Sequence, residues 1–386
     1  MSKIIFTFEK LYRAYLDCRK TKRKTINALK FEWNLERNLF QLQKELESRE
    51  YRPGRSICFA IKEPSPREIF AASFKDRMVH HLLIREILEM GERKFIFDSF
   101  ACRKNKGTHA AIKRLRKLIR QITKNNRENV FYGQLDISGF FMSIDHDVLF
   151  SIFQKFISKQ DKPNQWKEEI LWLAKTIIFH KPTENYLIKG NPSLFKLIPA
   201  RKSLFQSGEK CGLPIGNYSS QFFANLYLNE LDQFIKRKLK CKYYIRYVDD
   251  FILLDRDKEK LKFWRDEIDN FLRDNLKLKL SLKKTKIQPL KTGIDFLGYF
   301  VKPNYILVRK KVVSRLKNKL YRLNNAKEEI TGPSKILATI NSYYGHFKHA
   351  FSFNLRKHIY ESRLGNLQKY FLPNLEYISL KIKTAP

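Results

Sequence analysis

Apolar residues recur at intervals of three and four through most of the first fifty positions, the spacing of a helix that buries one face. Two helical patterns are predicted there, separated by the basic run 19–24, and the second continues to about Ser48. The apolar positions that define the two patterns are Phe8, Leu11, Tyr12, Tyr15, Leu35, Leu42 and Leu46. Residues 56–61 then alternate loosely, which predicts a strand, and a second strand is predicted from Arg67.

A basic amphipathic helix is predicted after residue 107, with Thr108 as a suitable N-cap. Its apolar stripe consists of Ile112, Leu115, Leu118 and Ile122. The opposite side carries cations without the balancing acids that solubility alone would favour. These cations are Lys113, Arg114, Arg116, Lys117 and Arg120. We expect this face either to be solvated or to contact a polyanion.

Helices and strands alternate through the rest of the chain. Helical spacing predicts helices over 222–231 and 261–276, and two more helices with apolar stripes after Arg309. A short strand is predicted immediately before Lys283, and a hairpin over 293–301. This mixture of strands and helices predicts an α+β fold.

Acidic residues stand at the ends of predicted strands. Residues 131–141 predict a strand that ends on Asp136 and runs into a glycine turn with two aromatic residues. About a hundred residues later, apolar runs within 243–254 flank a turn that carries Asp249 and Asp250, the pattern of a hairpin. Adjacent side chains on extended backbone point to opposite sides, so we expect one carboxylate to face a metal and the other to sit at its margin.

Carboxylates that meet in this way can hold two Mg²⁺ ions, which prefer oxygen ligands and take few protein carboxylates. Two such ions about 3.5–4 Å apart stabilise the attacking and leaving oxygens of a phosphoryl transfer. The competing interpretation of Asp136 is a helix cap or a satisfied turn residue. For Asp249 and Asp250 it is a solvated polar turn.

The charge balance narrows the class of partner. The chain has 77 basic and 39 acidic residues, a formal net charge of +38, which implies a polyanion such as a phosphate backbone. The cations run through the whole chain, which weakens the alternative of an anionic membrane surface. No apolar stretch approaches membrane-span length and the first residues do not form a signal peptide. The five cysteines are scattered singly, so neither a zinc knuckle nor a disulfide framework is indicated.

Five sequence blocks in a fixed order carry a resemblance to a known family. FYGQLDISGFF at 131–141 is followed by GLPIGNYSSQ at 212–221 and YVDD at 247–250. LKLSLKKTKIQP, which ends at Pro289, and GIDFLGYFV at 293–301 complete the series. Together they resemble the palm of a reverse transcriptase, and the resemblance covers roughly residues 50 to 350.

The second block differs from the common QGxxxSP form of the family. Ile215 stands where Gln is usual, and Gln221 stands where Pro is usual. This IGN-x-SQ variant resembles the reverse transcriptases of diversity-generating retroelements.

The resemblance implies an α+β fold of the right-hand polymerase type, with fingers, an antiparallel palm sheet with helices, and a helical thumb. Residues 1–130 would form N-terminal helices and fingers. Residues 131–305 would form the palm, with a helical insertion at about 151–206, and residues 306–386 the helical thumb.

The resemblance also implies site residues. The implied catalytic residues are Asp136, Asp249, Asp250 and Lys284, the last as general acid for the pyrophosphate leaving group. The implied metal contacts are Asp136, Ile137, Asp249 and Asp250. The implied nucleotide contacts are Lys62, Arg67, Ile137, Phe141, Ile215, Gly216 and Gln221.

Simple physical arguments support two of these roles, triphosphate binding and selection of the sugar. Lys62 and Arg67 can neutralise the charges of a triphosphate as they shift in the transition state, although either is otherwise an ordinary surface cation. Phe141 matches the steric gate of the family, because a flat ring there collides with a ribose 2′-hydroxyl. The competing interpretation is a core Phe in a chain that has 31 of them.

The function implied is that of an RNA-directed DNA polymerase that copies an RNA template into cDNA by two-metal transfer from deoxynucleoside triphosphates. Mg²⁺ is the expected metal, with Mn²⁺ as the alternative. The retroelement subtype implies a template-repeat RNA, error-prone copying opposite adenine and a small basic accessory protein. The protein would bind template RNA, cDNA and an RNA–DNA duplex. It would act in the cytoplasm and be encoded by a bacterium or a phage.

Other functions remain in competition. A group II intron-like or phage-defence reverse transcriptase is the runner-up, and the lack of room for a large maturase extension counts against the intron type. A catalytically inactive RNA-binding scaffold is the rival from another class. The presence of Asp136, Asp249 and Asp250 favours an enzyme.

Overall fold

The computed structural model describes residues 4–20, 22–63, 65–325 and 332–383. Helices predominate, and short strands occur between them in the sequence. This mixture confirms the predicted α+β class. The helices are α1 (Phe8–Arg19), α2 (Ile26–Glu32), α3 (Leu35–Glu47), α4 (Phe74–Lys94), α5 (Thr108–Ile122), α6 (Phe140–Ser143), α7 (His146–Ser158), α8 (Asn164–Ile178), α9 (Tyr218–Gln233), α10 (Lys258–Leu276), α11 (Lys310–Asn324), α12 (Pro333–Phe347) and α13 (Phe353–Arg363).

The strands belong to several small sheets. They are β1 (Ser56–Ile61), β2 (Arg67–Ala71), β3 (Phe131–Asp136), β4 (Tyr186–Ile188), β5 (Tyr243–Tyr247), β6 (Asp250–Asp255), β7 (Lys286–Pro289), β8 (Ile294–Phe296), β9 (Tyr299–Val301), β10 (Ile306–Val308), β11 (Phe371–Pro373) and β12 (Leu380–Ile382). A four-stranded sheet has the order β5–β6–β3–β7, so the two strands that end or begin with an acid are neighbours.

The chain forms two compact units. The first comprises Met1–Lys104, Gln134–Ile252 and Lys262–Lys286. In it, β1 pairs antiparallel with β2 and parallel with β4. The second unit comprises the remaining segments Asn105–Gly133 and Leu253–Leu261 together with Ile287–Pro386.

The second unit has its own core. Leu316 and Leu320 of α11, Tyr344 of α12 and Ile359 of α13 are fully buried in one apolar cluster. In the same unit, β8 and β9 form the predicted hairpin, and β10 extends it to a three-stranded sheet. Among the described residues, no helix is both long and apolar enough to cross a membrane.

Three local predictions are corrected. Thr108 is the first residue of α5 and not its N-cap, because Gly107 precedes the helix with a φ of 112° and offers no capping side chain. The second N-terminal helical pattern is divided into α2 and α3 near Asn34. The stretch before Lys283 is not a strand, since its pairing in the described residues is the isolated bridge between Leu280 and Ile137.

Candidate active site

The acids predicted from the strand ends lie together at one edge of the four-stranded sheet. Asp136 is the last residue of β3, and Asp250 is the first residue of the neighbouring β6. Asp249 lies in the turn between β5 and β6, and its carbonyl accepts a hydrogen bond of 3.2 Å from the Ile137 amide. The chain that leaves β3 is therefore joined directly to the tip of the hairpin.

The turn that carries Asp249 has an unusual backbone. Val248 has a φ of 56°, in the left-handed region that β-branched residues rarely adopt. Such conformations cost about 1–3 kcal/mol and persist only where the surroundings hold them. Here the Val248 carbonyl accepts a hydrogen bond of 3.1 Å from Nη1 of Arg246, whose side chain is fully buried.

Burial and crowding raise the pKa values of two of the acids. Burial, and then the negative charge of Asp136, raises the pKa of Asp249 to about 6. Burial, with the charges of Asp249 and Asp136, raises the pKa of Asp250 to about 7. Gln134 Nε2 donates to Asp250 Oδ1 at 3.3 Å and opposes this rise. The cluster thus carries negative charge that a bound cation would stabilise.

Lys284 already supplies one positive charge to the cluster. Its Nζ lies 2.6 Å from Oδ2 of Asp136, whose side chain is 12% exposed while that of Lys284 is 55% exposed. The Ser281 amide donates to the Asp136 carbonyl at 2.7 Å, which fixes this turn to the end of β3. The predicted general acid therefore lies at the carboxylates.

The donor set suits a hard divalent cation. In the part of the chain that the structure describes, no group of three His, Cys, Asp or Glu side chains forms a ready-made metal site. Mg²⁺ usually takes only one or two protein carboxylates and completes its shell with water and substrate phosphates. The carboxylates of Asp136 and Asp249, with Asp250 adjacent, fit that requirement.

Phe141 and Ile215 pack against the same buried apolar cluster, which consists of Cys58, Phe70, Met142 and Leu204. The Phe70 amide donates to the Ile215 carbonyl at 2.9 Å. Gly216 follows with a φ of 126°, and a Cβ there would lie 2.8 Å from the Phe70 carbonyl oxygen. The close approach to β2 therefore requires glycine at this position.

A family model described as reverse transcriptase (RNA-dependent DNA polymerase) matches residues 61–301 of the chain, well over half of it. The chain belongs to the reverse transcriptase family. The match includes the strand end at Asp136 and the hairpin that carries Asp249 and Asp250. It confirms the predicted enzyme class, an RNA-directed DNA polymerase, and the right-hand polymerase fold class.

Two curated relatives are similar to this reverse transcriptase. Protein YkfC of Escherichia coli K12 is 24% identical over 292 residues, which cover 67% of this chain and 69% of that protein. The putative COX1/OXI3 intron 2 protein of Saccharomyces cerevisiae is 36% identical over 67 residues, or 17% of this chain and 8% of that protein.

Solved telomerase structures are also similar. Apo telomerase of Candida tropicalis, truncated from its C-terminal domain, is 15% identical, with a TM-score of 0.46; the similarity covers 66% of this chain and 55% of that one. Telomerase of Candida albicans with a fragment of telomeric RNA is 13% identical, with a TM-score of 0.48, and coverage of 86% and 61%. This chain thus spans about three fifths or less of those telomerase chains.

The remaining predicted nucleotide contacts of the reverse transcriptase lie at the surface. Arg67 begins β2 and its Nη2 donates to the Ser65 hydroxyl at 3.4 Å. Lys62 is exposed immediately after β1, and Gln221 is exposed on the first turn of α9. The two exposed side chains are accessible to a ligand.

Two features of the site were not predicted. The buried partner of Arg246 is Asp232 on α9, 2.6 Å away, and nothing in the local sequence links these two residues. Lys202 lies in a stretch for which the sequence predicts no function. Burial, and then the positive charges of Lys284 and Arg67, lowers the pKa of Lys202. The only sequence signal was a pair of cations without neighbouring acids at 201–202.

A separate basic groove lies in the second unit. It has a volume of about 880 Å³ and follows α5 and the turn after it. Its cations are Lys113, Arg116, Lys117, Arg120, Lys124 and Arg127. Glu128 offsets part of this charge by pairing with Lys124 at 2.6 Å. Cations at intervals of three and four on one helix repeat about every 5–6 Å, which gives a linear array of positive charge.

Proposed function

We propose that this protein extends a primer along an RNA template to make cDNA. The observation that carries the proposal is the hydrogen bond between the Ile137 amide and the Asp249 carbonyl, at 3.2 Å. It joins the strand end of Asp136 to the hairpin tip and so gathers carboxylates from distant parts of the sequence. Membership of the reverse transcriptase family supplies the reaction that such a cluster serves.

Asp136 and Asp249 are the proposed ligands of two Mg²⁺ ions, with Asp250 close by and Ile137 as a further contact. When bound, Mg²⁺ lowers the pKa of the primer 3′-hydroxyl and offsets charge on the triphosphate and the leaving pyrophosphate. Mn²⁺ is the alternative, since it shares the preference for oxygen ligands. The raised pKa values of Asp249 and Asp250 support a cation here, because it would relieve the repulsion between the acids.

Other residues bind and orient the substrates. Arg67 and Lys62 are proposed to bind phosphate oxygens through charge-assisted hydrogen bonds. Lys284, 2.6 Å from Asp136, is the proposed general acid that donates a proton to the leaving pyrophosphate. Phe141 is the proposed steric gate against a ribose 2′-hydroxyl. Packing of Phe141 on a buried apolar cluster supports this role, because a gate must hold its ring in place.

Primer extension on an RNA template tests the proposal. The wild-type protein with Mg²⁺ should extend a DNA primer, and Asp249→Asn should abolish extension because the amide lacks the charge that a hard cation requires. RNA binding should survive in the variant, since no cation has been removed. Asp274→Asn, at an exposed position of α10, is the matched control and should keep full activity. Extension by Asp249→Asn at near the wild-type rate would refute the assignment.

The proposed domain assignment keeps the predicted boundaries. Residues 1–130 would be N-terminal helices and fingers, 131–305 the palm with its insertion at about 151–206, and 306–386 the helical thumb. The shared apolar core of α11, α12 and α13 supports a helical thumb.

Within the family, the proposed subtype is the error-prone enzyme of a diversity-generating retroelement. Ile215 is β-branched and apolar, so it can only pack where a Gln amide would hydrogen-bond near the nascent base pair. One such hydrogen bond is worth roughly 0.5–1.5 kcal/mol, or up to about tenfold in discrimination. Ile215 is therefore proposed to lower fidelity, and Gly216 and Gln221 are proposed as further nucleotide contacts.

Sequencing of cDNA made by two variants on one template tests the subtype. Ile215→Gln should reduce misincorporation, particularly opposite template adenine. Ile215→Val is the matched control, because it stays apolar and β-branched, and it should leave the error spectrum unchanged. Equal spectra for the wild type and Ile215→Gln would make Ile215 a packing residue and remove this support.

The proposed partners are template RNA, the cDNA and its RNA–DNA duplex, deoxynucleoside triphosphates and a small basic accessory protein. The similarity to an Escherichia coli protein supports a bacterial origin. The proposal keeps a phage-encoded protein as the alternative and the cytoplasm as the place of action. The local 36% identity to an intron protein favours a group II intron-like enzyme as the second candidate. A pair of DNA repeats beside the gene that differ mainly at adenines would favour the retroelement subtype. An intron that surrounds the gene would favour the group II intron-like enzyme.

A further inference from the structure

The segment 192–206 separates the two halves of the palm sequence and is held in short 3₁₀ turns, Pro192–Leu197, Ala200–Lys202 and Leu204–Gln206. It contains several cations and no Asp or Glu. Its course is fixed at two points, and both lie beside residues of the candidate active site.

The first fixed point is the buried carboxylate of Glu68 on β2. The Ser203 hydroxyl donates to Glu68 Oε2 at 2.9 Å, and the Leu204 amide donates to Glu68 Oε1. Glu68 is 1% exposed, and burial raises its pKa despite these two hydrogen bonds. Its neighbour in sequence is Arg67, the predicted triphosphate contact. The backbone at 203–204 is thereby attached to the strand that begins with Arg67.

The second fixed point is the turn that follows Asp136. Gly139 has a φ of 57°, and a Cβ at this position would lie 2.6 Å from the Arg201 carbonyl oxygen. Such a separation is too short for any side chain, so the backbone of Arg201 lies directly against the turn. Residues 201–204 therefore form a bridge from the turn after Asp136 to the Glu68 carboxylate, on the strand that begins with Arg67.

Lys202 lies on this bridge and is only half-exposed. Burial lowers the pKa of the Lys202 ammonium, the positive charges of Lys284, Arg67 and Arg201 lower it further, and the charge of Asp136 opposes this. The charge of Lys202 also opposes the rise in the pKa of Asp249 that burial and Asp136 cause. Cations collected from β2, from this segment and from the turn at Lys284 repel one another. An anion with several charges would relieve that repulsion.

We propose that Lys202, with Arg201 beside it, binds the triphosphate of the incoming nucleotide together with Arg67. The insertion thus completes a phosphate site that β2 begins. This inference rests on the proposed polymerase function and adds residues for which the family resemblance gave no role.

Steady-state kinetics of single-nucleotide incorporation test the proposal. Lys202→Gln removes the charge and should raise KM for the deoxynucleoside triphosphate about tenfold, with kcat changed much less. Lys202→Arg keeps the charge and should stay close to the wild type. Lys196→Gln is the matched control, because Lys196 is exposed on the same insertion, and its KM should be unchanged. Inorganic pyrophosphate, used as an inhibitor, should bind Lys202→Gln more weakly than the wild type.

Several results would overturn the inference. Lys202→Gln with wild-type KM and wild-type inhibition by pyrophosphate would remove Lys202 from the nucleotide site. An equal rise in KM for Lys202→Arg and Lys202→Gln would indicate packing and not charge. Weaker binding of primer–template with unchanged KM would make Lys202 a backbone contact.

The same experiment also tests the proposed polymerase function, and its results distinguish the two proposals. A wild-type protein that incorporates no nucleotide on an RNA template refutes the polymerase proposal itself. A wild-type protein that is active, combined with an unaffected Lys202→Gln, refutes only the inference about the insertion.

Discussion

Arg246 donates two hydrogen bonds to the carboxylate of Asp232, at 2.8 Å from Nε to Oδ1 and 2.6 Å from Nη2 to Oδ2. Both side chains are fully buried. The Tyr244 hydroxyl donates to the same carboxylate at 2.7 Å, and the third guanidinium nitrogen reaches the Val248 carbonyl. A buried, bidentate ion pair therefore connects α9 to the left-handed residue that precedes Asp249, the proposed metal ligand.

Removal of one member of this ion pair should strongly destabilise the folded protein. Asp232→Ala leaves the Arg246 guanidinium buried without its partner, and we expect it to lower the free energy of unfolding by about 3–5 kcal/mol. Denaturant unfolding measures this loss. Asp266→Ala is the control, because Asp266 pairs with Arg265 at an exposed position, where such pairs contribute about 0–1 kcal/mol. Similar losses in the two variants would contradict a special role for the buried pair.

The raised pKa values of Asp249 and Asp250 predict a pH dependence of stability. An acid whose pKa is higher in the folded state makes the folded protein bind more protons, so stability falls as pH rises from about 4 to about 7. In metal-free buffer, Asp250→Asn should raise Tm at pH 8 by roughly 1–3 °C and have little effect at pH 4.

Thermal melts at both pH values in EDTA check this expectation, with Asp161→Asn at an exposed position as the control. Addition of Mg²⁺ at pH 8 should stabilise the wild type more than Asp249→Asn, since the ion binds the folded carboxylates. A Tm for Asp250→Asn that differs from the wild type equally at both pH values would contradict the assignment.

The basic groove on α5 predicts a strong salt dependence of RNA binding. Each phosphate contact contributes about 0.7–0.9 to the slope of log affinity against log salt, through counterion release. Replacing Lys113, Lys117 and Arg120 by Gln should reduce that slope by roughly 2–3 and weaken different RNA sequences alike. Titrations at several salt concentrations measure the slope.

A control for the groove removes the same charge elsewhere. Lys155, Lys159 and Lys162 are exposed at the end of α7 and after it. Their triple Gln variant should keep the wild-type slope. If both triple variants reduce the slope equally, net charge and not the groove determines the affinity.

The position of Phe141 predicts a change in sugar selectivity. Phe141→Ala removes a ring that packs on the cluster of Cys58 and Phe70, and ribonucleotides should then be incorporated because the obstruction is gone. Phe195→Ala removes a ring from the same cluster and is the control for lost packing. The ratio of deoxyribonucleotide to ribonucleotide incorporation should fall only for Phe141→Ala. An unchanged ratio would make Phe141 a core residue.

The sequence was enough to predict those elements whose pattern lies within a few neighbouring residues. The strand that ends at Asp136 and the hairpin around Asp249 were predicted because short apolar runs alternate with turn residues and acids. The helix over 108–122 was predicted from its stripe, and Ile112, Leu115, Leu118 and Ile122 are all buried. Its start was wrong because Thr108 resembles an N-cap, while Gly107 takes the positive φ that ends the preceding segment.

The sequence was not enough to predict contacts that depend on tertiary packing. Asp232 and Arg246 lie on a helix and a strand, and only the packing of those elements brings their charges together. The same holds for Glu68 and Ser203, which are far apart in sequence. Lys277, with a φ of 49°, interrupts the stretch before Lys283, so an alternating pattern there does not become a strand.

The order of the four-stranded sheet also constrains when activity can appear during synthesis. The strand that ends at Asp136 pairs with β6 and β7, which leave the ribosome more than a hundred residues later. Closing such long loops is entropically costly and slow, and domains form as their last contributing segment emerges. Until Asp255, the last residue of β6, has been released, the carboxylates have no common edge on which to meet. A nascent chain that ends before β6 therefore cannot bring Asp136 beside Asp249 and Asp250.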